Sequence, residues 1–262
     1  MRLHFSKYEG AGNDFILIDN RMHLVNHQQP QLISKLCDRR FGIGADGIIF
    51  LQNKKGFDFE MIYYNADGQS SSMCGNGGRC AVAFAKKLGI IHYQTTFYAV
   101  DGSHDATLIE DDQVSLQMID VHQINAIENA FVLNTGSPHY VLCVDDLAHK
   151  DVYVDGRAIR YSPSYAAEGI NVNFVENKSD HYFVRTYERG VEDETYACGT
   201  GVTAVAIAMA KQNQQRGAIH TKIRVLGGRL DVRFQYDGHA FTHVFLEGPA
   251  TFVFDGIIDM PS

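Results

Sequence analysis

Two stretches set a cysteine among glycines at the start of a helix-forming run: MCGNGGRCAVAFA at 73–85 and CGTGVTAVAIAMA at 198–210. A core cysteine is ordinarily a small apolar filler. Gly75, Gly77 and Gly78 beside Cys74, and Gly199 and Gly201 beside Cys198, bury nothing and leave the backbone bare. A helix N-terminus presents backbone N–H groups without intrahelical partners and a partial positive charge. Glycine lets a ligand come close to that backbone, which makes a ready anion site. The same field eases ionisation of a thiol. One such cysteine suggests a nucleophile. Two of them suit inversion at carbon, provided both helix mouths face one small carboxylate. One thiolate then removes a proton, the opposite thiol returns one, and the N–H groups steady the charge on the carboxylate. Taken singly, each cysteine reads as packing and each glycine as a tight turn; the pairing carries the inference. Cys37, Cys80 and Cys143 keep the packing role. Metal-ligand spacing is absent, since Cys74 and Cys80 are six apart and no C-x-x-C occurs.

The pairing extends beyond the cysteines. An offset of 124 lays Cys74 on Cys198, Gly75 on Gly199 and Gly77 on Gly201. It also lays Gly12 on Gly136, so that AGNDF falls on TGSPH, and Gly47 on Asn171. Self-similarity at a fixed offset implies a duplicated unit. Two pseudo-equivalent domains of mixed β and α follow, each with one buried helix. A run such as AVAIAMA is apolar nearly all round, so something must surround it. A curved sheet would do so.

Short runs rich in β-branched and aromatic residues, bounded by Gly, Asn and Asp, predict the strands. They cover 15–19, 47–51, 59–65, 95–100, 113–119, 140–144, 171–176, 182–188, 221–228, 229–235 and 243–256. Helices are expected at 30–40, opened by Pro30, at 76–88, closed by Gly89, and at 200–213. Polar residues cluster at the expected strand ends. Asn65 stands nine residues before Cys74, and Glu188–Arg189 begins ten before Cys198. A Glu–Arg pair can take a cation and a carboxylate, which suits an amino acid; its bland counterpart is a solvated surface pair. Asn13 and Asn171 can hydrogen-bond a polar ligand or simply form turns. His139 can tune a thiol through its own charge or serve as packing.

Composition narrows the class. The chain has 262 residues, is 45% hydrophobic and carries a net charge of −8, which argues against nucleic acid as a partner. The N-terminus has no apolar signal region, and no apolar run is long enough to cross a bilayer. Five widely spread cysteines suggest reduced thiols in the cytosol.

The motifs GAGNDF, FGIGADG, NADG, MCGNGGRCA, GSPH, NVNF and YERGVEDETYACGTG together resemble the diaminopimelate epimerase family, in its order, from residue 10 to residue 201. The resemblance implies a cytoplasmic homodimeric isomerase, without pyridoxal phosphate, metal or other cofactor. It would interconvert LL- and meso-2,6-diaminopimelate on the route to lysine and peptidoglycan, with no nucleic-acid or membrane partner. The implied fold is α/β (α+β): two pseudo-symmetric domains, each a barrel-like, mostly antiparallel sheet around a central helix, with the site between them. Residues 1–118 with 250–262 would carry Cys74, and residues 119–249 would carry Cys198. By resemblance Cys74 and Cys198 are the acid–base thiols. Gly75, Asn76, Gly199 and Thr200 contact the reacting carboxylate, and Asn13, Asn65, Asn171, Glu188 and Arg189 hold the substrate. His139 and Glu188 adjust the thiols. Two positions depart from the pattern: many members have Gln at Gly47 and Asn at Ser137. Gly47 offers only backbone, whereas Ser137 still donates and accepts and stays a candidate.

Three rivals remain. A proline racemase or hydroxyproline epimerase shares the fold and the two-thiol logic, but resembles MCGHG and PCGTG where this chain has Asn76 and Ala197. A phenazine-type isomerase would not need both thiols. A thiol redox or small-ligand binding module would work by disulfide formation or simple capture.

Overall fold

The computed structural model describes residues 2–70, 73–110 and 112–259, so the expected domain limits at 1 and 262 lie outside it. The first part of the chain runs β1 (Arg2–Gly10), β2 (Asn13–Asp19), α1 (Pro30–Cys37), β3 (Gly47–Gln52), β4 (Glu60–Asn65), α2 (Gly75–Lys87), β5 (Gln94–Ala99), β6 (Gly102–Glu110) and β7 (Gln113–Gln117). Then follow β8 (Ile124–Ile127), β9 (Ala130–Asn134), β10 (Pro138–Cys143), α3 (Val152–Arg160), β11 (Asn171–Asn177), β12 (Tyr182–Glu188) and β13 (Asp193–Thr195). The chain ends with α4 (Gly199–Gln212), β14 (Gly217–Val225), β15 (Gly228–Tyr236), β16 (Phe241–Pro249) and β17 (Thr251–Asp259). It divides into two compact units, 1–116 with 248–262 and 117–247.

In the first unit the strands lie in the order β17-β1-β2-β3-β4-β5-β6-β7. All pair antiparallel except β2–β3 and β4–β5. The sheet curls until its two ends meet: the Ala250 N–H next to β17 donates to the Asp112 carbonyl next to β7 at 2.8 Å. Helix α2 touches β1, β2, β3, β4, β6 and β17, and its residues from Gly75 to Ala85 are buried. Its glycines admit the strands' side chains. A Cβ on Gly77 would stand 3.2 Å from Ile49 Cδ1, and one on Gly78 only 2.4 Å from Met73 Cε. Helix α1 covers the outer face, where Ile33 and Leu36 join Ile16, Ile18, Ile48 and Phe50 in one apolar cluster.

The second unit repeats the plan as β8-β9-β10-β11-β12-β14-β15-β16, antiparallel except β10–β11 and β12–β14. Val121 and Phe241 exchange two backbone hydrogen bonds of 2.8 Å, which closes this sheet as well. Helix α4 is surrounded as its composition requires, with Val202 and Ala204 to Ala208 fully buried. Burying a valine or isoleucine side chain in this way is worth about 1.5–3 kcal/mol. Helix α3, capped by Asp151 accepting from the Val154 N–H at 3.0 Å, covers the outer face. The two sheets match strand for strand and direction for direction. One parallel pair keeps its register as well: Phe15 faces Gly47 and His139 faces Asn171, the same pair displaced by 124. Gly12 (φ 89°) and Gly136 (φ 105°) make equivalent left-handed turns before β2 and β10.

The next pairing on β3 departs from that offset. β3 and β4 align Gly47 with Asn65, whereas β11 and β12 align Val172 with Tyr187, one residue out of step with the first unit. A one-residue slip exchanges the two faces of a strand. Tyr63 therefore faces inward beside α2, while Tyr187, its counterpart by offset, packs outward beneath α3.

Several elements differ from the sequence expectation. β1, β6, β8, β9, β13 and α3 carried no clear signal. The run 243–256 is two strands that meet at Pro249 and Ala250. Helix α1 stops at Cys37, short of residue 40, because Asp38 turns extended and its carboxylate accepts from the N–H groups of Arg40 and Phe41. Among the described residues no helix is long and apolar enough to cross a membrane.

Tyr187 makes α3 sensitive at one position. Gly→Ala inside a helix ordinarily gains about 0.5–1 kcal/mol. At Gly156 the added Cβ would lie 2.4 Å from Tyr187 Cβ. We expect Gly156→Ala to destabilise the protein by about 1–3 kcal/mol in urea unfolding; a stabilised variant would contradict this packing.

Candidate active site

Both singled-out cysteines occupy the N-cap position of the central helix of their unit. Cys74 caps α2 in extended conformation and Cys198 caps α4 likewise, and neither helix has a side-chain cap hydrogen bond. The first N–H groups with acceptors inside the helix are those of Gly78, bonded to Cys74 O at 2.7 Å, and Val202, bonded to Cys198 O at 2.9 Å. The helices themselves thus supply no acceptor for the N–H groups of residues 75–77 and 199–201. Cys74 is half-buried and Cys198 buried. The other cysteines differ from these. Burial pushes the Cys37 thiol up to about 12 and raises Cys80 further, and Cys143 is raised by partial burial. Raised pKa values disfavour the thiolate in all three.

In the first unit, Asn76 and Asn13 are brought together. Asn76 Nδ2 donates to Asn13 Oδ1 at 2.6 Å, and Asn13 Nδ2 donates to Asp46 at 3.0 Å. At the other end the fully buried Arg79 donates to Asn76 Oδ1 at 2.9 Å. The chain of donors runs from a guanidinium to a carboxylate, which fixes the orientation of both amides. Arg39 braces the carboxylate end by donating to Asp46 at 2.7 Å and to Asp14 at 2.6 Å. Burial works to raise the Asp14 pKa, but the hydrogen bonds and charges of Arg39 and Lys7 outweigh it and bring Asp14 down to about 2. Asn65 stands apart from this chain, at the end of β4, where its Oδ1 accepts from Tyr63 Oη at 2.7 Å.

In the second unit, Ser137, Asn171 and Arg189 form one cluster. Asn171 Nδ2 donates to Ser137 Oγ at 2.9 Å, its Oδ1 accepts from the Arg189 N–H at 2.9 Å, and the Arg189 guanidinium reaches Ser137 Oγ at 3.3 Å. Glu188 accepts from the Thr195 hydroxyl at 2.9 Å. In the first turn of α4, Thr200 Oγ1 lies 3.5 Å from Cys198 Sγ. His139 is wholly buried, and its expected action through a positive charge is not available. Burial, helped by the nearby Arg189 charge, lowers its pKa to about 3, so the ring is neutral. Asn173 sets its tautomer. The Asn173 amide is oriented by Thr186 donating to Oδ1 at 3.0 Å and by Nδ2 donating to Tyr140 O at 3.1 Å. The same Nδ2 lies 3.1 Å from His139 Nδ1, so Nδ1 accepts and the proton sits on Nε2, a buried atom with no hydrogen-bond partner among the described residues.

Arg79, Asp46, Arg39, Tyr63 and Asn173 escaped the sequence reading. Two of them left a signal: Arg79 is one helical turn beyond Asn76, and Asn173 is two residues beyond Asn171, on the same strand face. Among the described residues, no group of three His, Cys, Asp or Glu side chains could hold a metal ion.

Comparison with known proteins adds independent findings. The family model described as diaminopimelate epimerase matches residues 5–122 and 131–253. A diaminopimelate epimerase from Flavobacterium psychrophilum is 55% identical over 96% of this chain and 98% of its own. One from Chlorobaculum tepidum is 41% identical over 96% and 99%. Among solved structures, a PhzF-family phenazine biosynthesis protein from Bacillus anthracis superposes with a TM-score of 0.76 at 13% identity, covering 99% of this chain and 100% of that one. A hydroxyproline epimerase from Agrobacterium vitis gives 0.73 at 13% identity, covering 98% and 92%. At that identity the two structures share the fold.

The neutral His139 makes stability depend on pH. An unfolded histidine takes up a proton near its ordinary 6.5, while the folded ring refuses one down to about 3. The unfolded state therefore binds more protons in that window, and stability falls as pH drops through it. Asp14 acts lower, between its ordinary 3.8 and about 2. His139→Gln should lose less stability than the parent between pH 6.5 and about 4 in denaturant titrations; an unaltered pH dependence would refute the buried neutral ring.

Proposed function

The chain belongs to the diaminopimelate epimerase family, and from that premise we propose that Cys74 and Cys198 are its two acid–base groups. The protein is an isomerase that epimerises diaminopimelate, between the LL and meso forms. The observation that supports the two-thiol reading is the repeated helix mouth, a cysteine at the N-cap with its side chain not used for capping. One thiolate takes the α-proton. The electron pair left behind spreads onto the adjoining carboxylate, and the other thiol delivers its proton from the opposite side. In the reverse direction the thiols exchange roles. The N–H groups of Gly75, Asn76, Gly199 and Thr200 suit the charge that grows on the carboxylate. A donor of this kind contributes about 10²–10³-fold and a positioned acid or base about 10²–10⁴-fold.

Asn13, Asn65, Asn171, Glu188, Arg189 and Ser137 hold the rest of the substrate. Glu188 and Arg189 offer opposite charges to the ammonium and carboxylate of its distal end. His139, as a neutral ring, and Glu188, through its charge, adjust the thiols. Each unit carries one of the two thiols. It is a cytoplasmic homodimer serving lysine and peptidoglycan precursor synthesis. The exposed Phe252, Val253, Phe254 and Ile257 on β17 suit burial in a subunit contact.

Purified protein in deuterated buffer, under reducing conditions, should exchange the α-hydrogen of LL-diaminopimelate and form the meso isomer, leaving proline untouched. Cys74→Ala and Cys198→Ala should each lower turnover by at least about 10³-fold while binding of a substrate analogue survives. The parent pH profile should be bell-shaped, as for a coupled acid and base. Turnover at the parent rate in either variant would end the two-thiol reading.

A further inference from the structure

Position 47 carries no side chain, and something else occupies its place. A Cβ there would lie 2.5 Å from Tyr63 Cε2 and 3.0 Å from Tyr63 Oη. The phenol of the neighbouring strand fills the space that residue 47 leaves. Its hydroxyl donates to Asn65 Oδ1 at 2.7 Å. Its ring meets Phe15 edge-on, with centroids 6.0 Å apart, and Phe15 Cε1 in turn stands 3.5 Å from where a Cβ on Gly77 would sit, in the first turn of α2. Phe15, Gly47 and Asn65 lie side by side on β2, β3 and β4. Through Phe15, Tyr63 packs toward the first turn of the helix that Cys74 caps.

The second unit shows what residue 47 would otherwise do. Its counterpart by offset, Asn171, uses its own amide to hold the segment at Arg189, accepting from the Arg189 N–H at 2.9 Å. In the first unit that duty has moved one strand over. It could move because β3 and β4 are one residue out of step with β11 and β12, which turns Tyr63 inward where Tyr187 turns outward.

We propose that Tyr63, seated over Gly47, is a positioning residue for substrate recognition that acts by fixing the amide of Asn65. An asparagine amide can present either end to a ligand. With the Tyr63 hydroxyl donating to Oδ1, Asn65 presents Nδ2 as a donor, which selects a carboxylate on the substrate. Without that hydroxyl the amide loses this hold, and its donor is aimed less well at the same carboxylate. The assignment rests on the reading of this site as one for diaminopimelate.

The test is a double-mutant cycle on steady-state epimerisation. Tyr63→Phe keeps the ring over Gly47 and should raise KM for diaminopimelate about 3–10-fold, with kcat within about twofold of the parent. Asn65→Ala should raise KM at least as much. Because Tyr63 acts through Asn65, the double variant should match Asn65→Ala alone, whereas independent roles would multiply the two effects. An unchanged KM in Tyr63→Phe, or multiplied effects in the double variant, would overturn the assignment while leaving the enzyme's activity established. An inactive parent protein would overturn the functional reading and this assignment with it.

Discussion

A helix that begins inside a protein leaves its first four backbone N–H groups, that of the N-cap included, with no acceptor of its own. The ordinary remedy is a serine, threonine or aspartate at the N-cap, whose oxygen turns back over the first turn. α2 and α4 decline that remedy, with a cysteine at each N-cap and no side-chain cap bond. Sulfur is a weak acceptor. In the proposed reading the first turn serves an anionic ligand, and the helix field falls on the thiol. Much of the remaining architecture serves this arrangement. A closed sheet holds each helix on all sides, and glycines behind the cysteine bring backbone and strand side chains close.

The two units answer that common constraint with different linings. The first places a line of amides between two charges, from Arg79 through Asn76 and Asn13 to Asp46, so that each amide has one preferred orientation. The second places a neutral imidazole among amides and a Ser–Asn–Arg cluster. A duplicated scaffold thus carries two chemically distinct surfaces.

The duplication was legible because glycine and cysteine spacing survives when most other residues have changed. Cys74 and Cys198, Gly12 and Gly136, and the two apolar helices all lie at one offset, and the register of one parallel strand pair repeats it. Strands with strong alternation were legible for the same physical reason that they fold, one buried face and one open. β8 was not, because three of its four residues are exposed. The polar supports were the least legible. Asp46, Arg39 and Arg79 reach the helix mouth from a loop and from deep in a helix, and contacts of that kind depend on tertiary placement. Tyr63 was hidden by a register slip of one residue, which no composition or period reveals. The neutral state of His139 likewise follows from complete burial, a property of the folded chain.

The proposed exchange of roles between two separate thiols has a direct isotopic signature. LL-Diaminopimelate carrying deuterium at the reacting carbon would be converted in ordinary water and the reaction stopped within the first few per cent of conversion. Two thiols, each with its own proton, predict meso product bearing solvent protium from the outset. Product that keeps a substantial share of the substrate's deuterium would mean that a single group carried the hydrogen across, and would contradict the account.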